Sequence, residues 1–473
     1  CSATLMTIVD ETIVSVASPR IQDDLGFSTA GLSWVVDAYL VAFGSLLLLG
    51  GRIGDLVGRR TVLLAGLSLF TLASALCAAA WSPAALVVAR FVQGAGAALA
   101  ASVALGMVVA LFDDAAARAR AIGVYSAVGA SGASIGLVAG GLITAALGWR
   151  WAFLVNVPIG VATVLAGRRI LTPETGPGLR AGADAISALL LTAGTMTAIL
   201  AIVDAALRPL AVAAVVLLVA FVVRQARVAR PLLPLRIFRS RTVRGANATH
   251  ALLVGAMFGF QFLIALHFQR VWGYTPAQAG LAVVPVAAGI GVMSLFVVGR
   301  VRARIGAYRT LLAGLALVAA GLLLLVRARA GGGYLDVLPS IALFAVGGGL
   351  TLPTVMSFAM EDATGADSGL ASGLINTSQQ VGGAFGLAIL TALATSRAAA
   401  LRDRGTPAAD ATVAGYHLAW TVGGLFVLAA LAVAAVTLRP RPAPAAAGGE
   451  HPVPTRGRMD TDPASRVNAG APL

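Results

Sequence analysis

Along this chain, apolar runs of roughly 18–25 residues alternate with short polar turns, and each run is long enough to cross a bilayer as a helix. The runs fall at 1–18, 32–51, 61–80, 84–111, 121–146, 151–170, 184–204, 208–224, 246–268, 277–298, 309–327, 335–358, 368–395 and 415–438, which predicts fourteen membrane helices. The tightest turn reads Gly51-Arg52-Ile53-Gly54-Asp55-Leu56-Val57-Gly58-Arg59-Arg60, and a second copy, Gly299-Arg300-Val301-Arg302-Ala303-Arg304-Ile305-Gly306, follows 248 residues later. Both copies run on without a gap into Leu-Leu-Ala-Gly-Leu, at 63–67 and 311–315. A match of that length points to a duplicated unit. The offset pairs the second and third helices with the tenth and eleventh. Six-helix halves are therefore expected at 1–172 and 243–438, with two inserted helices and a basic linker at 173–242. Residues 439–473, rich in Pro, Ala and Gly, read as a disordered tail.

Composition agrees with the pattern. The 473 residues are 58% hydrophobic and 11% charged, with a mean hydropathy of +0.89. A soluble domain has no means of burying so much apolar surface. All 34 basic residues are Arg, and the formal charge is +14. A nucleic-acid partner is not expected, because the arginines sit in short loops between apolar runs rather than on one face. Placing the 51–60 turn inside leaves 21 Arg in inner loops and the start of the tail, against 9 in outer loops. That bias predicts a multi-pass protein of the cytoplasmic membrane with both termini cytoplasmic. Cys1 and Cys77 cannot build a disulfide framework or a metal site. There is no nucleotide-binding loop, metal-ligand cluster or catalytic triad signature. The chain opens in apolar sequence without an initiator Met, so the first helix is expected to lack its leading residues. The linker Arg230-Pro231-Leu232-Leu233-Pro234-Leu235-Arg236-Ile237-Phe238-Arg239 suits either an amphipathic segment on the inner membrane surface or an ordinary basic connection.

Ionisable residues inside the apolar runs carry the candidate chemistry, since a buried charge in a membrane helix costs a few kcal/mol and marks ion or proton paths. The first helix holds Asp10 and Glu11, about 100° apart around its axis. The second holds Asp37 between Trp34 and Tyr39, as a second proton site or an interfacial acid. Arg90 lies inside the fourth helix and needs a carboxylate partner, with Asp10 and Asp37 as the candidates. An arginine neighbour favours the ionised carboxylate while desolvation disfavours it, and that balance makes a proton switch; a purely structural ion pair would carry the same residues. Gly132, Gly136, Gly140 and Gly141 give the fifth helix a smooth face for close packing. Asn156, Gln261, Asn376 and Gln379 are the polar candidates for lining a substrate cavity, with His250 and His267 nearby on the ninth helix; interhelical hydrogen bonds are the alternative.

Several of these stretches resemble known motifs. Gly51, Asp55, Gly58, Arg59 and Arg60 stand as in the G-x-L-x-D-x-x-G-R-R signature of the major facilitator superfamily, while the second copy has Ala303 in place of the acid. Arg90, Gln93, Gly94 and Gly96 resemble its R-x-x-Q-G-x-G-A-A motif. Asp10, Thr12, Ile13, Val14, Val16, Ala17 and Pro19 resemble the L-D-x-T-I-V-N-V-A-L-P motif of the fourteen-helix drug:proton antiporters. The run from Trp149 to Gly160 resembles W-R-W-x-F-x-x-N-x-P-x-G of the same branch, and the glycines of the fifth helix resemble its G-x-x-x-G-P-x-x-G-G motif with Leu137 replacing the proline. The resemblance implies an all-α membrane protein of the major facilitator fold that uses the proton gradient and no cofactor. It implies a monomer in the lipid bilayer that exports small amphipathic drugs or antibiotics in exchange for protons, with Asp10, Arg90, Asp37 and Glu11 in proton coupling. Gly51, Asp55, Gly58, Arg59 and Arg60 would form a conformational gate. Dedicated export of a metabolite made by the cell is the alternative within transport. The absence of an acid- or His-rich extramembrane site argues against a membrane enzyme, and the disordered reading of residues 439–473 argues against a non-transporting sensor with a folded signalling domain.

Overall fold

A computed structural model describes residues 2–28, 31–110, 136, 139–172, 184–228, 231–233, 235–361 and 368–439. The first helices are α1 (Ser2–Leu25), α2 (Trp34–Val57), α3 (Arg59–Ala78) and α4 (Pro83–Ala110). Next come α5, described from 139 to 147, and α6 (Arg150–Leu154, then Asn156–Ile170). The pair α7 (Ala185–Val203) and α8 (Leu210–Arg227) follows. The remainder are α9 (Arg241–Leu266, continued by a π-turn at His267–Val271), α10 (Pro276–Ile305) and α11 (Ala307–Leu324). The last are α12 (Tyr334–Glu361), α13 (Ser368–Arg402) and α14 (Ala408–Thr437).

Eleven of the described helices are long and apolar enough to cross a membrane. The helices α1, α2 and α5 fall outside that number. Asp10 and Glu11 lower the hydropathy of α1, and α2 and α5 are described in full over only part of their apolar runs. Much of the apolar surface faces outward. Val212, Val215, Val216, Val219 and Val223 of α8 are all exposed at helical spacing, a face that only hydrocarbon would satisfy.

The two arginine-rich turns have the same backbone. Gly58 at φ 107° ends α2 and opens α3, and Gly306 at φ 83° ends α10 and opens α11. A side chain at either position would force a β-carbon into the left-handed region, so the 248-residue repeat keeps glycine there. Helix neighbours recur with the same offset: α4 packs on α2 and α3, and α12 packs on α10 and α11. Between these groups, α2 lies along α13, and α1 meets α9 and α10. The pair α7–α8 packs on itself and touches both α2 and α13 through α7, where Thr192 donates to Ser45 at 2.7 Å.

The bundle thus has a turn end, carrying Gly58 and Gly306, and a far end. At the far end α1 and α9 are clasped. Arg270 donates to the Asp23 carboxylate at 2.5 Å and to the Pro19 carbonyl at 3.1 Å, and Gln269 donates to the Val16 carbonyl at 3.2 Å. The Arg270–Asp23 pair is solvent-exposed and contributes little by itself; the carbonyl bonds give the clasp its geometry. At the turn end the linker forms a short 3₁₀ turn, Leu235–Arg239. Its apolar residues Leu233, Ile237 and Phe238 pack with Val243 of α9 and Leu374 of α13.

Candidate functional site

Asp10 and Arg90 meet in the middle of the first group of helices, both fully buried, with Arg90 Nη1 2.5 Å from Asp10 Oδ2. Three more polar side chains complete the cluster. Gln93, one turn after Arg90 on α4, donates to Asp10 Oδ1 at 2.8 Å and to Ser74 Oγ on α3 at 2.8 Å. Asn156 donates to the same Oδ1 at 2.7 Å. Arg90 also donates to Gln93 Oε1 at 2.6 Å and to the Val35 carbonyl of α2 at 2.7 Å, and its guanidinium lies 4.4 Å from the centre of the Tyr39 ring. The carboxylate is therefore held by α4 and α6, and the guanidinium by α1, α2 and α4. Charge-assisted bonds of this kind are roughly twice as strong as neutral ones, and the aromatic face adds a cation–π contact.

Asn156 was expected in a substrate cavity; its position in this cluster is a correction with a local cause. Pro158 has no N–H for the Leu154 carbonyl, and α6 is interrupted at Val155. The helix restarts at Asn156, which is buried and turned toward α1. Gln93 and Ser74 were not singled out as site residues. Gln93 stands in the same motif as Arg90, one turn away, and that spacing was the available signal; nothing in the apolar run of α3 distinguishes Ser74.

Asp37 is also fully buried, but it is not in this cluster. It sits two turns from Gly44, on the same helical face, and Gly44 is the point where α2 meets Gln380 and Val381 of α13. Among the described residues no donor reaches either Asp37 oxygen in good hydrogen-bond geometry, although the Ser33 hydroxyl one turn back interacts with it. Tyr39, which faces Arg90, is on the opposite side of α2.

Glu11 points elsewhere again. It lines a cavity of about 340 Å³ in the middle of the bundle, between α1 and α2 on one side and α9, α10, α12 and α13 on the other. That volume lies within the range of small-molecule sites. Its walls are mostly apolar, with Phe258, Phe260, Phe262 and Phe344 prominent, and Phe260 stacks on Phe344 at 4.1 Å between centres. Gln261 and Gln379 reach it, and His250 Nε2 pairs with Gln379 Oε1 at 3.3 Å from behind. Asn376 is not among the lining residues, because it lies nearly one helical turn before Gln379 along α13. His267 is buried away from the cavity among Trp272, Tyr416 and Trp420.

The fifth-helix glycines make close helix contact where they are described. A β-carbon on Gly136 would press on Val9 and Thr12 of α1, one on Gly140 would lie 2.9 Å from Ile13 Cα, and one on Gly141 would lie 2.9 Å from the Pro276 carbonyl. Gly132 lies outside the described residues, as does the Asp55 side chain. In the 51–60 turn, Arg60 donates to the Arg168 carbonyl at 2.8 Å, tying the start of α3 to the end of α6. Gly51 lies within α2, about two helical turns before Gly58, which alone separates α2 from α3, and Arg59 opens α3.

Among known proteins, the chain is 37% identical to the puromycin resistance protein of Streptomyces alboniger, over 91% of this chain and 89% of that one. It is 36% identical to the cephamycin export protein of Amycolatopsis lactamdurans, over 92% and 90%. In fold it resembles the inward-facing, occupied structure of a bacterial homologue of the human lysosomal transporter Spinster, with a TM-score of 0.68 at 14% identity, covering 92% of this chain and 94% of that one. The pattern that defines the Major Facilitator Superfamily matches residues 1–387. With a bundle of apolar helices around a central cavity, relatives named for antibiotic resistance and export, and a family match over most of its length, this multi-pass membrane protein is a transporter, not an enzyme, and belongs to the major facilitator superfamily.

Proposed function

We propose that the protein is a proton-coupled antiporter that exports amphipathic drugs or antibiotics across the cytoplasmic membrane, through fourteen spans with both termini inside. The observation that carries this reading is the buried Asp10–Arg90 pair beside an apolar, aromatic cavity of drug size. A buried carboxylate paired with an arginine changes its proton affinity when helix movement alters their separation. Asp37, buried where α2 lies along α13, is the second proton candidate, since that seam is part of the boundary between the two groups of helices. The 51–60 turn is the gate in this reading, with Arg60 bound to the end of α6. Dedicated export of a self-made product is the second reading, favoured by similarity to a protein named for cephamycin export.

Uptake of a fluorescent amphipathic compound into everted vesicles, driven by an acid interior, is the test. It is expected to stop when a protonophore is added, and to slow severalfold in Asp55→Asn with expression unchanged. Uptake indifferent to the protonophore would remove proton coupling. Orientation is tested separately by cysteine labelling in intact cells: position 402 should react with an impermeant reagent, while positions 55 and 303 should not. Labelling of position 55 from outside would reverse the topology.

A further inference from the structure

The far end of the bundle holds a second cavity, a cleft of about 250 Å³ between α9, α13 and α14. On α13 its wall is one helical stripe, Thr391, Thr395, Ala398 and Arg402, at three- and four-residue spacing. Deep in the cleft the lining is apolar in effect: Leu263 and Leu266 come from α9, and the Thr391 and Thr395 hydroxyls donate to carbonyls of their own helix. The mouth is different. Arg402 is exposed at the last turn of α13; among the described residues no carboxylate pairs with it, and its hydrogen bond to Thr412 Oγ1 is long, at 3.4 Å. Neither Asp403 nor Asp410, the acids nearest in sequence, lines the cleft. Tyr416 of α14 lines it and is 5% exposed, yet its hydroxyl has no hydrogen-bond partner among the described residues. A buried phenol ordinarily has one. The charges that act on that hydroxyl are those of Arg270 and Arg402.

We propose that the cleft binds one phospholipid with an anionic headgroup, its phosphate held by Arg402 and the Tyr416 hydroxyl and one acyl chain laid along the stripe of α13. Guanidinium and phenol are both donors with bonds left to make, and phosphate oxygens are the acceptors that a guanidinium fork fits. Dimensions favour a lipid over a soluble anion. From Thr391 to Arg402 the stripe rises about 16 Å, which matches one leaflet of a hydrocarbon core about 30 Å thick. Rings mark the level of the mouth. Tyr416 packs against Trp420 and His267, and His267 against Trp272; Trp and Tyr collect at the headgroup region. In the orientation proposed above, this is the outer leaflet. A soluble anion would leave the apolar slot beneath it empty.

The test uses the full chain purified in detergent, with native mass spectrometry counting bound lipid. The probes are phosphatidylglycerol, phosphatidylcholine with the same chains, and glycerol phosphate alone. One phosphatidylglycerol should bind ahead of phosphatidylcholine. Arg402→Gln should weaken it about tenfold, as loss of a charge-assisted contact predicts, and Arg402→Lys should keep most of the affinity. Tyr416→Phe should weaken it about threefold, through loss of one hydrogen bond. Arg404→Gln, which removes an exposed charge outside the cleft, should change it by less than about twofold. Ala399→Phe, which fills the slot from an exposed position on its wall, should weaken both lipids with thermal stability unchanged. Parental phosphatidylglycerol affinity in Arg402→Gln or in Ala399→Phe would overturn the proposal. Equal losses in Arg402→Gln and Arg404→Gln would do the same, since they would mean general attraction of anionic lipid to an arginine-rich surface. Displacement of phosphatidylglycerol by an equal concentration of glycerol phosphate would make the cleft a site for a soluble anion, and the lipid assignment would fail.

Discussion

Asp10→Asn is expected to abolish substrate-induced proton release from the detergent-solubilised protein, while Asp37→Asn keeps most of it. An asparagine has nearly the same shape but cannot take up a proton. It is also a poor fit to the hydrogen bonds observed. Asp10 accepts from three donors, Arg90, Gln93 and Asn156, and the amide NH₂ of an asparagine would have to face at least one of them. Asp10→Glu keeps the charge and should retain partial release. The readout is the pH change in lightly buffered solution on adding substrate, compared across Asp10→Asn, Glu11→Gln and Asp37→Asn. Release at the parental level from Asp10→Asn, with none from Asp37→Asn, would move the coupling site to α2.

Removing the other member of the pair should act first on stability. Arg90→Leu leaves Asp10 buried without a counter-charge and breaks the bonds to Gln93 and to the Val35 carbonyl. Truncating one partner of a buried pair costs about 3–5 kcal/mol. The neutral double variant Asp10→Asn with Arg90→Leu should recover part of that loss, because no unpaired charge remains. Thermal unfolding in detergent, followed as a double-mutant cycle, measures the coupling directly. Additive losses from the two single substitutions would mean that the pair carries no interaction energy of its own. The cluster would then be a packing feature, with Tyr39 and the Val35 carbonyl holding the arginine unaided.

Much of the architecture could be read without coordinates, for reasons that lie in single residues. Apolar runs separated by arginine turns are a local property, and hydrocarbon solubility imposes it whatever the neighbours are. The repeat of the turn is equally legible: Gly58 and Gly306 both adopt positive φ, and a residue confined to that conformation recurs wherever the turn is copied. The count of spans is where local reading thins out. Helix α1 is legible as an apolar run over 1–18, yet Asp10 and Glu11 lower its mean hydropathy below that of the other long helices.

The site divides along the same line. An arginine within an apolar helix demands a carboxylate, and that demand is evident in Arg90 itself; periodicity likewise places Asp10 and Glu11 on different faces of α1. Which acid Arg90 meets was open between Asp10 and Asp37, because the answer depends on how α1, α2 and α4 are rotated about their axes. Packing settles it, with Tyr39 on the Arg90 side of α2 and Asp37 on the α13 side. The role of Asn156 follows from an interruption at Val155 combined with the approach of α6 to α1, and the cavity is assembled from helices that lie more than two hundred residues apart. Hydropathy and turn chemistry are fixed residue by residue. Side-chain partnership across a bundle depends on helix rotation, which is set by the summed packing of every neighbour and leaves no mark at any one position.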